Sequence, residues 1–494
     1  MRLRVALPVC SALLGLLWCT QGCRTAAAPA PEPIPLGAEP MPMPVAASDV
    51  QPGFPAPLVA PDVPPGFVAE WTEAPVFGGR VFALEGGRPD GPVVVLVHGL
   101  GDNGSRDFYP VLPSLAGGYH VISFDLPGFG RSTHGTLLYS PARYAEFIHA
   151  LVRQRFAGPF NLVGHSMGGA ISLMVAARFP ADVQRLFLID AAGFLHRKSY
   201  VNFAVSAGLD NILGIWSGPG KELLNSALQA AALAIGPLPP TPEPDFLLKN
   251  DWLRSSVLGT PTRIAALATM LENFAPVIAD VKAPTWILWG RHDSIASLRT
   301  ARVLALRLPL ARLQVLESSG HDPMASEPAA VSRFLLDGLA SAPVPMARPA
   351  QPPLSASARP GRCDGQSGMR FQGDYTEIEI SGCQDVQLDG VRAGPIRIRN
   401  SFVTMQDTHI GTAAVALDVK DSRVEITASD LFGDVALEAN GADLDLAGVA
   451  LQGKRVSVHV AGSSRLIFSI SRVDSPIAHR FLHEMLELDP GAEL

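Results

Sequence analysis

A serine between glycines is the clearest reactive group in this sequence, within residues 164–169, which read GHSMGG. An apolar run at residues 160–163 precedes this G-x-S-x-G pattern, and an amphipathic run at residues 170–178 follows it. A turn between a strand and a helix holds a serine hydroxyl above the sheet edge, where it can attack a carbonyl carbon. The context therefore predicts that Ser166 is a nucleophile rather than a small residue in a tight turn.

The neighbours of this serine predict how the turn is built and how it stabilises negative charge. Gly164 and Gly168 lack a Cβ, so we expect the chain to turn sharply at them and lift the Ser166 hydroxyl. Met167 opens the following helix, and its free N–H is a candidate oxyanion donor. The N–H of Leu100, in a small-residue turn after an apolar run, is the second candidate donor.

Apolar runs alternate with helical patterns along the middle of the chain. Six runs predict buried parallel strands, at residues 92–97, 119–124, 160–163, 183–189, 285–290 and 313–316. Helical patterns separate them, among others at residues 141–155 and 329–339. This alternation predicts an α/β fold with a doubly wound, mostly parallel sheet, whose chemistry lies at the carboxyl ends of the strands.

Polar residues after the later strands can complete a proton relay. His321 follows the sixth run, and Asp293 comes shortly after the fifth. A histidine can accept the Ser166 proton and return it to the leaving group, while a buried carboxylate orients the imidazole ring. Asp293 is favoured for that carboxylate, and Asp190, at the end of the fourth run, is its rival.

Other acidic and histidine side chains near these positions have structural explanations. We expect Asp125 to brace its own loop, and His98 and His165 to be packing and turn residues. Asp322 is the chain neighbour of His321 and cannot easily face that ring.

The hydrolase-like part of the chain, assigned to residues 67–339, resembles an α/β-hydrolase. The resemblance rests on five motifs in the family's order: HG at 98–99, DLPGFGRS at 125–132, the serine motif at 164–169, GRHD at 290–293 and GH at 320–321. It implies a serine hydrolase of the carboxylesterase or lipase class that forms an acyl-enzyme. Thioesters, lactones, amides and carbon–carbon bonds of the meta-cleavage type stay open as substrates, whereas family members with Asp as nucleophile are excluded.

Residues from about 191 to about 280 carry helical patterns and no convincing strand, for example at 225–235 and 263–271. The family resemblance implies a helical cap at this position. Its apolar inner face would roof a pocket for a small hydrophobic ester or acyl substrate. The alternative is that these faces belong only to the core.

The beginning of the chain has the pattern of an exported protein. Residues 1–22 have a basic start and an apolar run too short to span a membrane, which predicts a signal peptide. Cys23 resembles the lipidated cysteine of a bacterial lipoprotein, although Thr20 replaces the usual Leu, and ordinary cleavage nearby is the alternative. The Pro- and Ala-rich residues 23–66 predict a tether. Arg24 after the cysteine implies an outer-membrane lipoprotein of a Gram-negative bacterium, facing the periplasm or the cell surface, with its lipid in the membrane.

After a second Pro- and Ala-rich linker at 340–360, residues 361–480 contain an internal β-rich repeat. Copies start at 415, 435 and 456, and second strands keep step at 424, 444 and 466. A fixed period of short alternating strands predicts a β-solenoid, and it resembles a right-handed parallel β-helix. Charged residues such as Glu425 and Asp445 then point outward. A β-sandwich is the alternative.

The repeat also predicts a disulfide and two independent regions. Cys363 and Cys383 are 20 residues apart, one coil of the repeat, so stacked strands would bring them within bonding distance in an exported protein. Because the linker has few residues that can pack, we expect few contacts between the two regions. Residues 67–342 should then fold and act alone.

Composition limits the remaining possibilities. The 494-residue length favours two domains, and the net charge of −7 provides no basic surface for nucleic acid. The histidines lack the spacing of metal ligands, so neither a metal nor a cofactor is predicted. The oligomeric state stays open.

Two function classes are compatible with these features. The first is a tethered ester hydrolase with the solenoid as an accessory module. The second is an envelope or surface binding protein whose solenoid binds polymer and whose hydrolase domain is accessory or vestigial. None of the three candidate catalytic residues is missing, which favours the enzyme.

Overall fold

The computed structural model of this protein describes residues 62–200, 245–308, 310–341 and 354–494. The predicted signal peptide, Cys23 and nearly all of the predicted tether lie outside the described residues. So does the helical run predicted at 225–235 within the cap.

An eight-stranded sheet organises the hydrolase-like region, with the strand order β1-β2-β4-β3-β5-β6-β7-β8. Its strands are β1 (Phe67–Glu73), β2 (Arg80–Gly87), β3 (Val93–Val97), β4 (His120–Phe124), β5 (Phe160–His165), β6 (Val183–Ile189), β7 (Thr285–Gly290) and β8 (Ala311–Leu316). Strands β3 to β8 pair in parallel, while β2 is antiparallel to both β1 and β4. The prediction of an α/β fold with a mostly parallel sheet is confirmed. The two antiparallel strands at its edge were not predicted.

Helices connect these strands, and several of them begin at a capping residue. They are α1 (Leu112–Ala116), α2 (Pro141–Arg153), α3 (Met167–Arg178), α4 (Asp245–Lys249), α5 (Asp251–Leu253), α6 (Pro261–Leu271), α7 (Leu298–Arg307), α8 (Pro323–Ser326) and α9 (Pro328–Ala340). The Ser140 and Thr260 hydroxyls accept the N–H groups of Arg143 and Arg263 in the first turns of α2 and α6, and a proline follows each of the two caps. A cap followed by proline pre-organises the first turn and so fixes where each helix begins.

The centre of the hydrolase-like region is the β5–α3 unit. All six residues of β5 are buried, and α3 is buried from Met167 to Ala177. A helix that is apolar on every side is stable only when other elements surround it completely. The turn between β5 and α3 is therefore held from both sides, and this turn carries Ser166.

Residues 354–494, here called the C-terminal strand region, contain a second sheet of fifteen strands. Its strands are β9 (Arg359–Asp364), β10 (Arg370–Ser381), β11 (Val386–Ala393), β12 (Ile396–Arg399), β13 (Phe402–Gln406), β14 (His409–Gly411), β15 (Val415–Lys420), β16 (Arg423–Thr427), β17 (Asp430–Asn440), β18 (Asp443–Ala447), β19 (Ala450–Gly462), β20 (Ser464–Ser469), β21 (Ser471–Ser475), β22 (Ala478–Leu482) and β23 (Met485–Leu488). All pairings are parallel except those of β22 and β23.

The pairing register of this sheet follows the internal repeat. Val415 pairs with Val435 and Val435 pairs with Val456, while Val424 pairs with Leu444 and Leu444 with Leu466. Alternate apolar residues fill a continuous core in this way. Cys363 and Cys383 are joined by a disulfide at the start of the region.

The two regions pack directly against each other, and the expectation of few contacts between them is wrong. Arg299 and Arg307 of α7 donate hydrogen bonds to Asp445 and to the Gly448 carbonyl. Ala447 and Ile470 are buried in the same apolar core as the hydrolase-like sheet. The linker sequence could not predict this interface, because the contacting residues lie far from the linker.

Candidate active site

Ser166 is held in a strained turn at the end of β5. Its φ of 53° and ψ of −121° lie in a region that residues with a side chain rarely adopt. The Ser166 N–H donates to the Ile189 carbonyl (3.0 Å), and its own carbonyl accepts from Gly169 and Ala192 (2.9 and 3.1 Å). These hydrogen bonds to β6 and α3 fix the strained geometry.

The glycines of the motif have another task than the sequence suggested. The positive φ belongs to Ser166, whereas Gly164 and Gly168 have ordinary φ values. A Cβ on Gly164 would lie 2.3 Å from the Gly168 carbonyl oxygen, and a Cβ on Gly168 would lie 2.1 Å from the carbonyl oxygen of Val97. The glycines are thus required for close packing of α3 on β3 and β5.

The side chains of Ser166, His321 and Asp293 form one hydrogen-bonded chain. The distance from Ser166 Oγ to His321 Nε2 is 2.9 Å, and His321 Nδ1 lies 2.8 Å from Asp293 Oδ2. A carboxylate only accepts, so His321 donates from Nδ1 and accepts the serine O–H at Nε2. Three residues far apart in sequence therefore meet in the arrangement that general-base activation of a serine requires.

Asp293 is fixed by its own loop. Its second oxygen, Oδ1, accepts the N–H groups of Ile295 and Ala296, both at 2.8 Å. The loop packs against the His321 loop so closely that a Cβ on Gly290 would lie 2.1 Å from the Gly320 carbonyl oxygen. The carboxylate is thereby held with one oxygen towards the histidine and no exposed side-chain surface.

Asp190, the rival carboxylate, does not contact the histidine. It ends β6 with a φ of 44°, and its Oδ1 accepts the Gly290 N–H at 2.8 Å. Burial and the negative charge of Asp293 raise the pKa of Asp190 well above its ordinary value. Asp190 therefore lies beside Asp293, and Asp293 alone of the two is hydrogen-bonded to the histidine.

His165 supports the backbone of His321, a contact that the sequence interpretation missed. Its Nε2 donates to the His321 carbonyl at 2.8 Å, and Asp107 Oδ2 lies 3.9 Å from its Nδ1. Burial alone lowers the pKa of His165, but the interaction with Asp107 outweighs burial and raises it above the ordinary value. The only sequence signal was a histidine next to the serine in the G-x-S-x-G motif.

The two predicted oxyanion donors lie in turns beside Ser166: Leu100 follows β3, and Met167 begins α3. A Cβ on Gly99 would lie 3.0 Å from the Ser166 Cβ, so the backbone that leads to Leu100 passes beside the serine. Met167 is the first residue of α3, and its N–H has no acceptor within the helix. Both N–H groups therefore belong to turns that border the serine.

The remaining polar residues brace loops, as expected. Asp125 accepts from Ser105 and Arg131, and Arg131 outweighs burial to hold the pKa of Asp125 below its ordinary value. His98 donates from Nδ1 to the Gly99 carbonyl and accepts the Leu126 N–H at Nε2 (2.7 and 2.8 Å), and burial lowers its pKa. The Asp322 side chain caps α8.

The described residues contain neither a candidate metal centre nor a membrane-spanning helix. In that part of the chain, no three His, Cys, Asp or Glu side chains are arranged to hold a metal ion. The helices within the same residues are all too short or too polar to span a membrane. The described part of the predicted cap includes α6, which buries Ile264, Ala265 and Ala268.

Comparison with known proteins places the chain in a family. A model of the alpha/beta hydrolase family matches residues 94–334. The pimeloyl-acyl-carrier-protein methyl ester esterase of Aeromonas hydrophila is 30% identical over 247 residues, which are 48% of this chain and 91% of that protein. The chain belongs to the alpha/beta hydrolase family.

Other members resemble this alpha/beta hydrolase over the same part. Lipase 1 of Psychrobacter immobilis is 29% identical over 269 residues, which are 50% of this chain and 76% of that protein. The solved structure of an esterase from Exiguobacterium antarcticum is 21% identical and covers 56% of this chain and 100% of its own, with a TM-score of 0.42. The family match of this hydrolase ends before the C-terminal strand region begins.

Proposed function

We propose that this alpha/beta hydrolase is a serine enzyme that cleaves carboxyl esters through an acyl-enzyme. The observation that carries the proposal is the hydrogen-bonded chain from Ser166 Oγ through His321 to Asp293, with distances of 2.9 and 2.8 Å. The names of its relatives, a lipase and a methyl ester esterase, support ester substrates.

Acylation uses the geometry of these three residues. Ser166 Oγ attacks the ester carbonyl carbon while its proton passes to His321 Nε2. The carbonyl π electrons move to oxygen, and the Leu100 and Met167 N–H groups stabilise the resulting negative charge. His321 then gives its proton to the departing alkoxide as the carbon–oxygen bond breaks, which leaves an acyl ester on Ser166.

Deacylation repeats these steps with water. His321 Nε2 removes a proton from a water molecule whose oxygen attacks the acyl carbon. The second intermediate collapses when His321 returns that proton to Ser166 Oγ, and the carboxylic acid leaves. Asp293 takes no proton in these steps, and it orients the ring and stabilises the imidazolium.

The substrate class in this proposal is a small hydrophobic ester of the carboxylesterase or lipase type. The described cap helix α6 is largely apolar and packs next to the hydrolase core through Ile264 and Ala265. An apolar cover selects substrates with hydrophobic acyl or alcohol groups.

We further propose that the chain is exported and held at an outer membrane through lipid on Cys23, and that the C-terminal strand region is a right-handed parallel β-helix. The signal-like first residues and the cysteine at position 23 support the first statement. The parallel register with a step of about 20 residues supports the second. Replacing Cys23 by Ala should release the protein from isolated membranes.

A fluorophosphonate probe tests the proposed reaction, because it forms a covalent bond only with an activated serine. The wild-type chain should be labelled, and Ser166→Ala should abolish both labelling and hydrolysis of nitrophenyl esters. Ser172→Ala is the matched control, since Ser172 is a buried serine of α3, the helix that follows Ser166. This control variant should be labelled normally. Labelling that survives Ser166→Ala, or a wild-type chain that cleaves no ester, contradicts the proposal.

A further inference from the structure

Asp445 of the C-terminal strand region receives hydrogen bonds from two separate parts of the hydrolase-like region. Its Oδ1 accepts from Ser199 Oγ at 3.0 Å and from Arg299 Nη2 at 3.0 Å. The side chain is 15% exposed, and that of Arg299 is 10% exposed. Asp445 points away from its own core, as the strand alternation predicted, but the hydrolase-like region covers it.

Ser199 belongs to the segment that follows Asp190 at the end of β6. Residues 196–200 of it, here called the 196–200 segment, are held by a second hydrogen bond besides that of Ser199. The His196 N–H donates to the buried Ser469 hydroxyl at 2.8 Å. The chain that leads to these residues touches the active site, because the Ala192 N–H donates to the Ser166 carbonyl at 3.1 Å. Burial and the negative charge of Asp293 also raise the pKa of the Tyr200 phenol. Both anchors of the segment come from the C-terminal strand region.

Arg299 belongs to the other side of the active site. It lies in the first turn of α7, which Ser297 caps, and this turn follows directly on the loop that holds Asp293. Its guanidinium also donates to Thr427 Oγ1 and to the Ile426 carbonyl (2.7 and 3.0 Å). The helix that ends the Asp293 loop is thus fixed to the C-terminal strand region at several points.

We propose that Asp445 is a positioning residue for ester hydrolysis, because it fixes the 196–200 segment and the helix behind the Asp293 loop at one common point. The inference rests on the proposed serine esterase function. Asp445 acts through Ser199 and Arg299 and does not touch the reacting atoms.

The strength of these contacts supports such a role. Hydrogen bonds to a charged acceptor are stronger than neutral ones, and their effect increases where water is excluded. Without the Asp445 charge, Arg299 keeps Glu425 as a carboxylate partner, at a longer distance of 3.5 Å. Displacements of less than an ångström between catalytic groups are sufficient to lower a rate strongly. The C-terminal strand region, which lies beyond the family match, thereby becomes part of the enzyme.

Asp445→Asn in the full-length chain tests this inference. It keeps the shape of the side chain and removes the charge. We expect kcat per active site, titrated with the fluorophosphonate probe, to fall about tenfold, the usual size of coupling through intermediate residues. Asp374→Asn is the matched control: Asp374 is 11% exposed and its partner Arg392 belongs to the same C-terminal strand region, so kcat per titrated site should not change.

Titration of active sites separates positioning from loss of folded protein. A variant that merely unfolds in part has fewer reactive serines but an unchanged kcat for each of them. Ser199→Ala gives a second test, because it removes one hydroxyl and should lower kcat by about threefold. In the double variant the two effects should not add, since both residues act through the same contact.

Three results would overturn the inference while leaving the proposed function intact. They are a wild-type kcat per site in Asp445→Asn, an equal decrease in Asp374→Asn, or additive effects of the Ser199 and Asp445 substitutions. A wild-type chain without esterase activity would instead remove the proposed function on which the inference rests.

Discussion

The two regions of this hydrolase place their charged side chains in opposite ways. In the hydrolase-like region, Asp125, Asp190 and Asp293 are buried at the carboxyl ends of strands. In the C-terminal strand region the buried core is apolar, and carboxylates pair with arginines on the outside, as Asp374 does with Arg392. A region that performs chemistry must bury charge where the reaction occurs, whereas a stacked repeat gains stability from repeating one apolar layer.

Backbone strain is found in both regions. In the C-terminal strand region, positive φ values occur at turn residues such as Asn400 and Asp421, types that adopt the left-handed conformation easily, but also at Ala428 and Ile470. Ser166 combines a positive φ with a ψ of −121°, which is costly for any side chain. In the hydrolase-like region this strain coincides with the residue that has a proposed chemical task.

The interface between the regions is the exception to this division. Asp445 and Arg299 form a charged pair there with side chains 15% and 10% exposed, and two histidines, His196 and His483, lie with ring centroids 5.7 Å apart. Polar groups that are largely covered in this place are what the proposed contribution of the C-terminal strand region to hydrolysis requires. The predictions below test this comparison, from the largest expected effect on hydrolysis to the smallest.

The carboxylate pair at the active site should show the largest effect. Asp293→Asn should lower kcat by about 10⁴-fold, because an amide at this position no longer accepts the His321 Nδ1–H in the required tautomer. Asp190→Asn should have a far smaller effect, since the amide oxygen can still accept the Gly290 N–H. Steady-state kinetics on a nitrophenyl ester decides the matter, and a crippled Asp190→Asn with an active Asp293→Asn would reverse the assignment.

Removal of the C-terminal strand region should have the next largest effect. A chain that ends at residue 341 exposes apolar surface that Ala447 and Ile470 cover, and it leaves Arg299 without its partners. We expect a melting temperature lower by about 5 °C or more and a kcat lower by about tenfold. Adding residues 354–494 as a separate chain should restore part of both, and a truncated enzyme with full stability and kcat would show that the regions are independent.

The sequence predicted those parts of the fold that depend on local periodicity. Strands β3 to β8 are long apolar runs, and the repeat in the C-terminal strand region aligns the residues that pair there. The edge strand β1 was missed because it buries only Phe67 and carries no clear pattern. Strand β2 was missed although it buries Val81 to Leu84. Periodicity reports on neighbours along the chain, and an edge strand has few of them in the core.

Contacts between distant segments were not predictable in the same way. The motif located Ser166, but the reason for Gly168 is its approach to the Val97 carbonyl, which no local pattern encodes. The outward direction of Asp445 followed from strand alternation, whereas its partner Arg299 lies 146 residues away. The sequence therefore predicted which side chains could perform chemistry, and the structure added the side chains that hold them.

The histidine pair at the interface should make stability depend on pH. Burial lowers the pKa of His196 and the pKa of His483 to about 4. For His196, the positive charge of Arg197 adds to this decrease in pKa, and the negative charge of Asp445 opposes it. In the unfolded chain both histidines bind a proton near pH 6.5. The free energy of unfolding is therefore highest above pH 6.5 and decreases as the pH falls towards 4.

Thermal melting at pH 7.5 and at pH 5 tests this dependence. We expect a loss of about 2 kcal/mol on acidification for each histidine, and His196→Gln should reduce the loss. His479→Gln is the control, because His479 is 71% exposed and its partner is Asp474 rather than either of these histidines. Equal acid sensitivity in the wild type and in His196→Gln would show that other groups carry the effect. Hydrolysis at pH 7.5 should change little in either variant.

The disulfide between Cys363 and Cys383 should have the smallest effect on hydrolysis. It closes a 20-residue segment at the start of the C-terminal strand region, where β9 pairs with β10. The contacts to Arg299 and to residues 196–200 come from later strands, β16, β18 and β20, which contain Thr427, Asp445 and Ser469. Replacing both cysteines by Ser should therefore weaken hydrogen-exchange protection in β9 and β10 and leave kcat unchanged. The loss of free energy of unfolding should not exceed about 3 kcal/mol, the contribution of loop closure. A lower kcat would mean that even the first coil acts on the active site, and the contrast between a chemical region and a stacked repeat would then not hold.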